Sequence, residues 1–163
     1  PSSQYDSILY SEIAPKLREI EVNSTRVKID VIGQSSGGRN LFLATVSSSK
    51  GNLGGYKAIQ QMMLSDPATA LSSINSLNDL RAPVLLLAGV HGNEYPTVDA
   101  AIRLIETLAY DFTDPEVQTI MDNLIVLVIV VGNPDGRVMG TRRNAGLVDL
   151  GVDFMTQSQP ETQ

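Results

Sequence analysis

The sequence has no cysteine, no tryptophan and a single histidine, and aromatic residues make up only 5% of it. Without cysteine there is no disulfide, no thiolate nucleophile and no Cys-ligated zinc. Positive charge is also scarce: 12 Lys+Arg stand against 18 Asp+Glu, a net charge of −6. A surface that tracks phosphates needs clustered positive charge, so no nucleic-acid partner is expected. Long apolar runs are missing as well. Val84 to Leu87 and Leu124 to Val131 fall far short of the roughly 20 residues that cross a bilayer, so no membrane partner is expected. No stretch is dominated by Pro, Gly or a repeated residue, which argues against disordered and collagen-like classes.

What is present is an ordinary globular composition, 42% hydrophobic and 18% charged over 163 residues. A chain of this length buries about 70% of its unfolded surface, and residues 1–163 are expected to form a single domain. The first residue is Pro1, with no initiator Met and no charged-then-apolar leader. An export signal was either removed or never there. The compartment stays open, with a secreted or periplasmic location favoured over a cytoplasmic one.

Ile8, Leu9, Ile13, Leu17 and Ile20 repeat at helical spacing within residues 5–20, and Pro15 is expected to shorten or split that helix. Val27 to Ile32 and Leu41 to Val46 are rich in β-formers and flank a polar connection, which reads as a hairpin. Ser47 to Gly55 reads as loop, and Tyr56 to Ser65 and Ala68 to Ser76 as helices broken at Asp66-Pro67. Val84 to Val90 and Leu124 to Val131 lack polar alternation, the pattern of strands covered on both faces. Between them Val98, Ala101, Ile102, Ile105 and Leu108 share one helical face behind Pro96, and a short helix follows from about Pro115 to Asp122. Strands alternating with helices give an α/β fold: helices on both faces of a mixed, mostly parallel sheet of about four strands. Functional groups then belong at the carboxyl ends of the strands.

Four segments invite a chemical reading. Gly33 to Gly37 fits G-x-S-x-G, but a nucleophile elbow joins a strand to a helix and here a strand follows, so Ser35 lacks the required context. His91-Gly92-Asn93-Glu94 directly follows a buried strand and pairs imidazole nitrogen with carboxylate oxygen, both good zinc donors. The same four residues also read as a polar loop whose glutamate caps the next helix. Asn133-Pro134-Asp135-Gly136 is, by itself, a type I turn. Thr141 to Leu150 brings Arg142, Arg143 and Asp149 to the same end of the sheet, or is simply a solvated loop.

In order and position these segments resemble the zinc carboxypeptidase (funnelin, carboxypeptidase A-like) family, over the N-terminal half of its catalytic domain. Ile32-Gly33-Gln34-Ser35 with Gly38-Arg39-Asn40-Leu41 is similar to the family's early hairpin, so the likeness runs from about residue 5 to the end. The resemblance implies a zinc metallopeptidase that hydrolyses C-terminal peptide bonds. His91 and Glu94 would be zinc ligands, and Asp149 would hold the ligand histidine. Arg142 would polarise the scissile carbonyl, with Arg143 as the other register. Arg143 and Asn144 would help to bind a peptide substrate. Zinc would activate the attacking water.

This chain departs from the family at three points. It has no second histidine, it ends before the family's general-base glutamate, and Gly151-Val152 stands where the family carries an Asn-Arg pair that grips the terminal carboxylate. The resemblance therefore implies weak or no zinc binding, and little or no activity, for this chain alone. It also implies a sheet edge that needs self-association or a complementing chain to cover it. The alternative is a non-catalytic relict of the same fold that binds a peptide or partner. A nucleotide binder is disfavoured, because no G-x-G-x-x-G or P-loop sequence follows a strand.

Overall fold

The computed structural model describes residues 7–48, 53–76 and 81–163. Helix α1 (Tyr10–Asn23) opens with Glu12 accepting the Leu9 backbone N–H at 2.9 Å, which satisfies one of the unpaired donors of its first turn. It runs unbroken through Pro15, contrary to expectation. An interior proline costs a helix about 3 kcal/mol, and here full burial of Ile13, Leu17 and Ile20 offsets it.

Strands β1 (Val27–Gln34) and β2 (Asn40–Val46) form the expected antiparallel hairpin, with a β-bulge between Val31 and Gly33. Helices α2 (Leu53–Ser65) and α3 (Pro67–Ser76) follow, the first starting within the stretch read as loop. Part of that stretch, residues 49–52, lies outside the described residues. Strand β3 (Ala82–Leu87), helix α4 (Tyr95–Tyr110), helix α5 (Pro115–Asn123) and strand β4 (Leu124–Ile129) complete the crossover. Asp114 caps α5 by accepting the Glu116 and Val117 N–H groups. Two short helices, α6 (Pro134–Met139) and α7 (Leu150–Asp153), and a 3-10 turn at Pro160–Thr162 end the chain.

The sheet order is β1-β2-β4-β3. The fold is α/β with a four-stranded mixed sheet, in which β3–β4 is parallel while β1–β2 and β2–β4 are antiparallel. The parallel pair follows from the α4 crossover, and the antiparallel pairs from β1–β2 entering as a hairpin beside β4. The core lies on one sheet face, where Phe42, Ala44, Val46, Val126 and Val128 meet the apolar stripes of α1, α4 and α5. All five α4 residues expected on the inner face are buried.

One strand departs from its sequence reading. Val84 to Val90 and Leu124 to Val131 were expected to be strands covered on both faces, and β4 is indeed largely buried. β3, which ends at Leu87, is however the last strand of the sheet among the described residues, and Leu85 is 60% exposed. An apolar run shows that a strand suits a covered position, whereas the cover itself has to come from another segment.

Candidate active site

His91-Gly92-Asn93-Glu94 forms a tight turn between β3 and α4, closed by the Glu94 N–H donating to the His91 carbonyl at 3.1 Å. Glu94 stands at the N-cap position of α4, yet its side chain makes no capping hydrogen bond. It turns back instead, placing Oε1 2.8 Å from His91 Nδ1. On the other side of the ring, Nε2 is buried without a hydrogen-bond partner and lies 3.4 Å from Asp149 Oδ1. Asp149 caps α7 through the Gly151 N–H at 3.0 Å and takes the Arg142 Nε–H at 2.7 Å on its other oxygen. That bond to Arg142 holds the Asp149 carboxyl below its usual range against the opposing effect of burial, helped by the Gly151 N–H and the charges of Arg142 and His91.

These distances define what the cluster suits. In the tautomer that carries its proton on Nε2, His91 presents a lone pair at Nδ1 to the Glu94 carboxylate. Two electron-rich atoms 2.8 Å apart are stable with a proton or a cation between them. One imidazole nitrogen and one carboxylate oxygen converging on a point match zinc's donor preference, and a carboxylate behind the imidazole is the usual support of such a ligand. The set is nevertheless short: among the described residues no group of three or more His, Cys, Asp or Glu is placed to hold a metal ion. A catalytic zinc takes three protein donors, so His91 and Glu94 by themselves do not fit a whole zinc site.

The frame behind the pair is built from backbone contacts and buried polar groups. A Cβ on Gly92 would lie 2.0 Å from the Gly136 carbonyl carbon and 2.3 Å from the Arg137 nitrogen, so the His91 turn and the start of α6 touch backbone to backbone. Asn133-Pro134-Asp135-Gly136 is the first turn of α6 and not a free turn, because Asn133 caps it by accepting the Gly136 N–H at 2.8 Å. Asp135 is fully buried and accepts from Arg39 Nη1 at 2.7 Å, the Gly37 N–H at 2.8 Å and Ser35 Oγ at 2.9 Å. Ser35 is thus a donor within this frame, on a strand-to-strand turn, as the missing elbow context implied.

Asn144 is buried too. It donates to Gln159 at 2.8 Å and Ser36 at 3.2 Å and accepts the Val148 N–H at 3.0 Å, while Arg143 is exposed. The structure therefore gathers His91, Glu94, Arg142 and Asp149 into one cluster and leaves Asn144 inside the supporting frame.

Asp135, Arg39 and Asp153 were missed as frame residues. Asp135 stood inside a segment read as a turn, and 96 residues separate it from Arg39. Asp153 ties down the tail by accepting from the hydroxyls of Ser158, Thr156 and Thr162 and from the Gln159 N–H. Those hydroxyls hold its carboxyl far below the usual range, with burial opposing and the Gln159 N–H assisting. A depressed folded-state pKa means that this stabilisation is complete above the unfolded value, about 4, and is lost as pH falls toward the folded value. Urea midpoints for Asp153→Asn are expected to be lower than wild type at pH 7 and to fall less on acidification. A variant with the wild-type pH slope would remove Asp153 from this role.

Comparison with known proteins bears on the same residues. The sequence profile described as zinc carboxypeptidase matches residues 15–160. The chain belongs to the zinc carboxypeptidase family. Among solved structures, a metallo-carboxypeptidase from Burkholderia cenocepacia superposes with a TM-score of 0.69 at 19% identity, over 93% of this chain and 35% of that one. A metallo-carboxypeptidase from Pseudomonas aeruginosa, in complex with (2-guanidinoethylmercapto)succinic acid, gives 0.64 at 19% identity over 93% of this chain and 34% of that one. Thrombin activatable fibrinolysis inhibitor gives 0.66 at 15% identity over 88% of this chain and 31% of that one. Identities this low establish the fold alone. No curated protein matches the chain. The chain thus spans about a third of the length of the zinc carboxypeptidase structures it matches.

Proposed function

We propose that this chain supplies the N-terminal part of a zinc metallocarboxypeptidase site, and that hydrolysis of C-terminal peptide bonds needs further polypeptide to complete it. One observation carries the reading: Glu94 leaves the helix N–H groups it was placed to cap and faces His91 Nδ1, with Asp149 behind the ring. In this reading His91 and Glu94 provide two donors to zinc, which when bound lowers the pKa of a water and polarises a carbonyl. Asp149 keeps the imidazole in the tautomer whose Nδ1 lone pair faces the metal. Arg142 is anchored through Nε on the same carboxylate, and its guanidinium offers a fixed positive charge to a substrate carbonyl as negative charge develops. The remaining donor and the general base lie outside this chain.

The test is a calorimetric zinc titration of metal-stripped protein. The expected result is weak binding, abolished by His91→Ala or Glu94→Ala and weakened about 10- to 100-fold by Asp149→Ala, with no peptide hydrolysis by the chain alone. Binding indifferent to His91 and Glu94 overturns the assignment.

A second reading, a non-catalytic peptide- or partner-binding protein, rests on Gly151-Val152. A Cβ on Gly151 would lie 3.1 Å from His91 Nε2, so position 151 faces the cluster and carries no side chain. Val152, 70% exposed, offers no group to grip a carboxylate. Equal binding of peptides with free and amidated C termini would favour this second reading.

A further inference from the structure

The turn that carries His91 and Glu94 runs from Gly89, just past β3, to Glu94 at the head of α4, and both of its ends meet one side-chain atom. Thr97 Oγ1 accepts the Gly89 N–H at 3.1 Å and donates to the Glu94 carbonyl at 2.7 Å. The Thr97 N–H donates to the same carbonyl at 3.2 Å. Thr97 is the third residue of α4, and its N–H is one that an N-cap carboxylate ordinarily takes. Because the Glu94 carbonyl takes it instead, the Glu94 carboxylate is free to lie 2.8 Å from His91 Nδ1.

The residue type matters here. A hydroxyl accepts through a lone pair and donates its proton at the same atom, so one oxygen can tie an N–H at one end of the turn to a C=O at the other. On a helix, a threonine hydroxyl reaches the carbonyl three residues back in one of its two favoured rotamers, so α4 itself directs the bond to Glu94. The helix is a fixed reference for that bond. Gly89 has φ of 61°, and a Cβ on it would lie 2.8 Å from Val98 Cγ2, which puts the strand exit in close contact with α4. Arg137, which is buried, donates to the Tyr95 carbonyl at 3.3 Å and lies 3.6 Å from Asp99 on the following turn of α4.

We propose that Thr97 is a positioning residue for the His91–Glu94 pair. Its hydroxyl ties the strand exit to the Glu94 backbone and so sets the direction in which the Glu94 carboxylate leaves the helix. The consequence for metal binding rests on the zinc reading: a pair already held at its working separation binds a cation without first having to be ordered.

Zinc added to metal-stripped protein, followed by NMR on the ring protons of the single histidine, reads affinity even where binding is weak. Thr97→Val keeps the shape of the side chain and removes both bonds, and is expected to raise the dissociation constant about tenfold. Thr97→Ser keeps the hydroxyl and is expected to restore near wild-type affinity. Thr119→Val is the control, because the Thr119 hydroxyl makes the same kind of bond on α5, to the Pro115 carbonyl at 2.8 Å, and its loss should leave zinc affinity unchanged. Hydrogen exchange supplies a readout without metal: the Gly89 amide is expected to exchange faster in Thr97→Val and to recover in Thr97→Ser. Affinity that depends on His91 and Glu94 but is unchanged in Thr97→Val overturns the proposal, as does equal weakening by Thr97→Ser or Thr119→Val. Wild-type affinity indifferent to His91 and Glu94 sinks the zinc reading instead. The Gly89 amide then decides this inference alone: faster exchange in Thr97→Val upholds the tie, and unchanged exchange overturns it.

Discussion

Gly92→Ala is expected to cost the fold about 3 kcal/mol or more, the upper range for forcing extra atoms into a packed interior. The added carbon would lie 2.0 Å from the Gly136 carbonyl carbon and 2.3 Å from the Arg137 nitrogen. Both are backbone atoms, so no side-chain rotation relieves the overlap. Either the His91–Glu94 turn or the first turn of α6 must move, and α6 is fixed by the Asn133 cap and by the buried carboxylate of Asp135. In urea, with a slope of about 2 kcal/mol/M, the midpoint should fall by roughly 1.5 M. Gly38→Ala provides the control. Gly38 has φ of 78°, so alanine is strained there, but its Cβ would meet nothing within 4 Å. That variant should lose only about 1 kcal/mol. Equal losses in the two variants would show that the turn and α6 are not in backbone contact.

The second large effect is expected at Asp135. Arg39, Gly37 and Ser35 all donate to its Oδ atoms within 2.9 Å, and Ser36 Oγ does so at 3.3 Å. Asp135→Asn turns one of these acceptors into a donor that faces donors. Loss of the charged partner and stranding of the buried Ser35 hydroxyl together cost about 3 kcal/mol. Burial pushes the Asp135 carboxyl up, but the Arg39 guanidinium, the Gly37 N–H and the Ser35 hydroxyl outweigh it and leave the pKa lowered. The group therefore stabilises the fold fully above about pH 4 and progressively less below it. Urea midpoints of wild type and Asp135→Asn should converge as pH falls. A double-mutant cycle with Arg39→Met separates the ion pair from the rest, and a coupling energy near zero would remove Arg39 from the account. The strand-end turn would loosen with it, and weaker zinc binding by Asp135→Asn would show that the frame positions His91.

Legibility from sequence differed among the parts of this molecule. The stripe from Val98 to Leu108 and the β-rich runs Val27 to Ile32 and Leu41 to Val46 were readable, because burial of a periodic face leaves the same period in the sequence. His91 and Glu94 were readable as a candidate pair because they follow an apolar strand and precede a helix. Whether Glu94 caps that helix or faces His91 was open, since both uses need the same residue at the same position. Asp135 was unreadable as a hub, since its partners Ser35, Gly37 and Arg39 lie on a hairpin about a hundred residues earlier in the chain.

By itself the sequence determined the α/β class and the zinc carboxypeptidase resemblance, because composition, local periodicity and the order of short motifs are properties of the chain before it folds. Only the tertiary structure decided that Glu94 turns to His91, that Asn144 is enclosed in the frame, and that Asp135 is the buried hub of that frame. Each of these depends on what lies across space from a residue, and non-local contacts leave no periodic trace in the residues that make them.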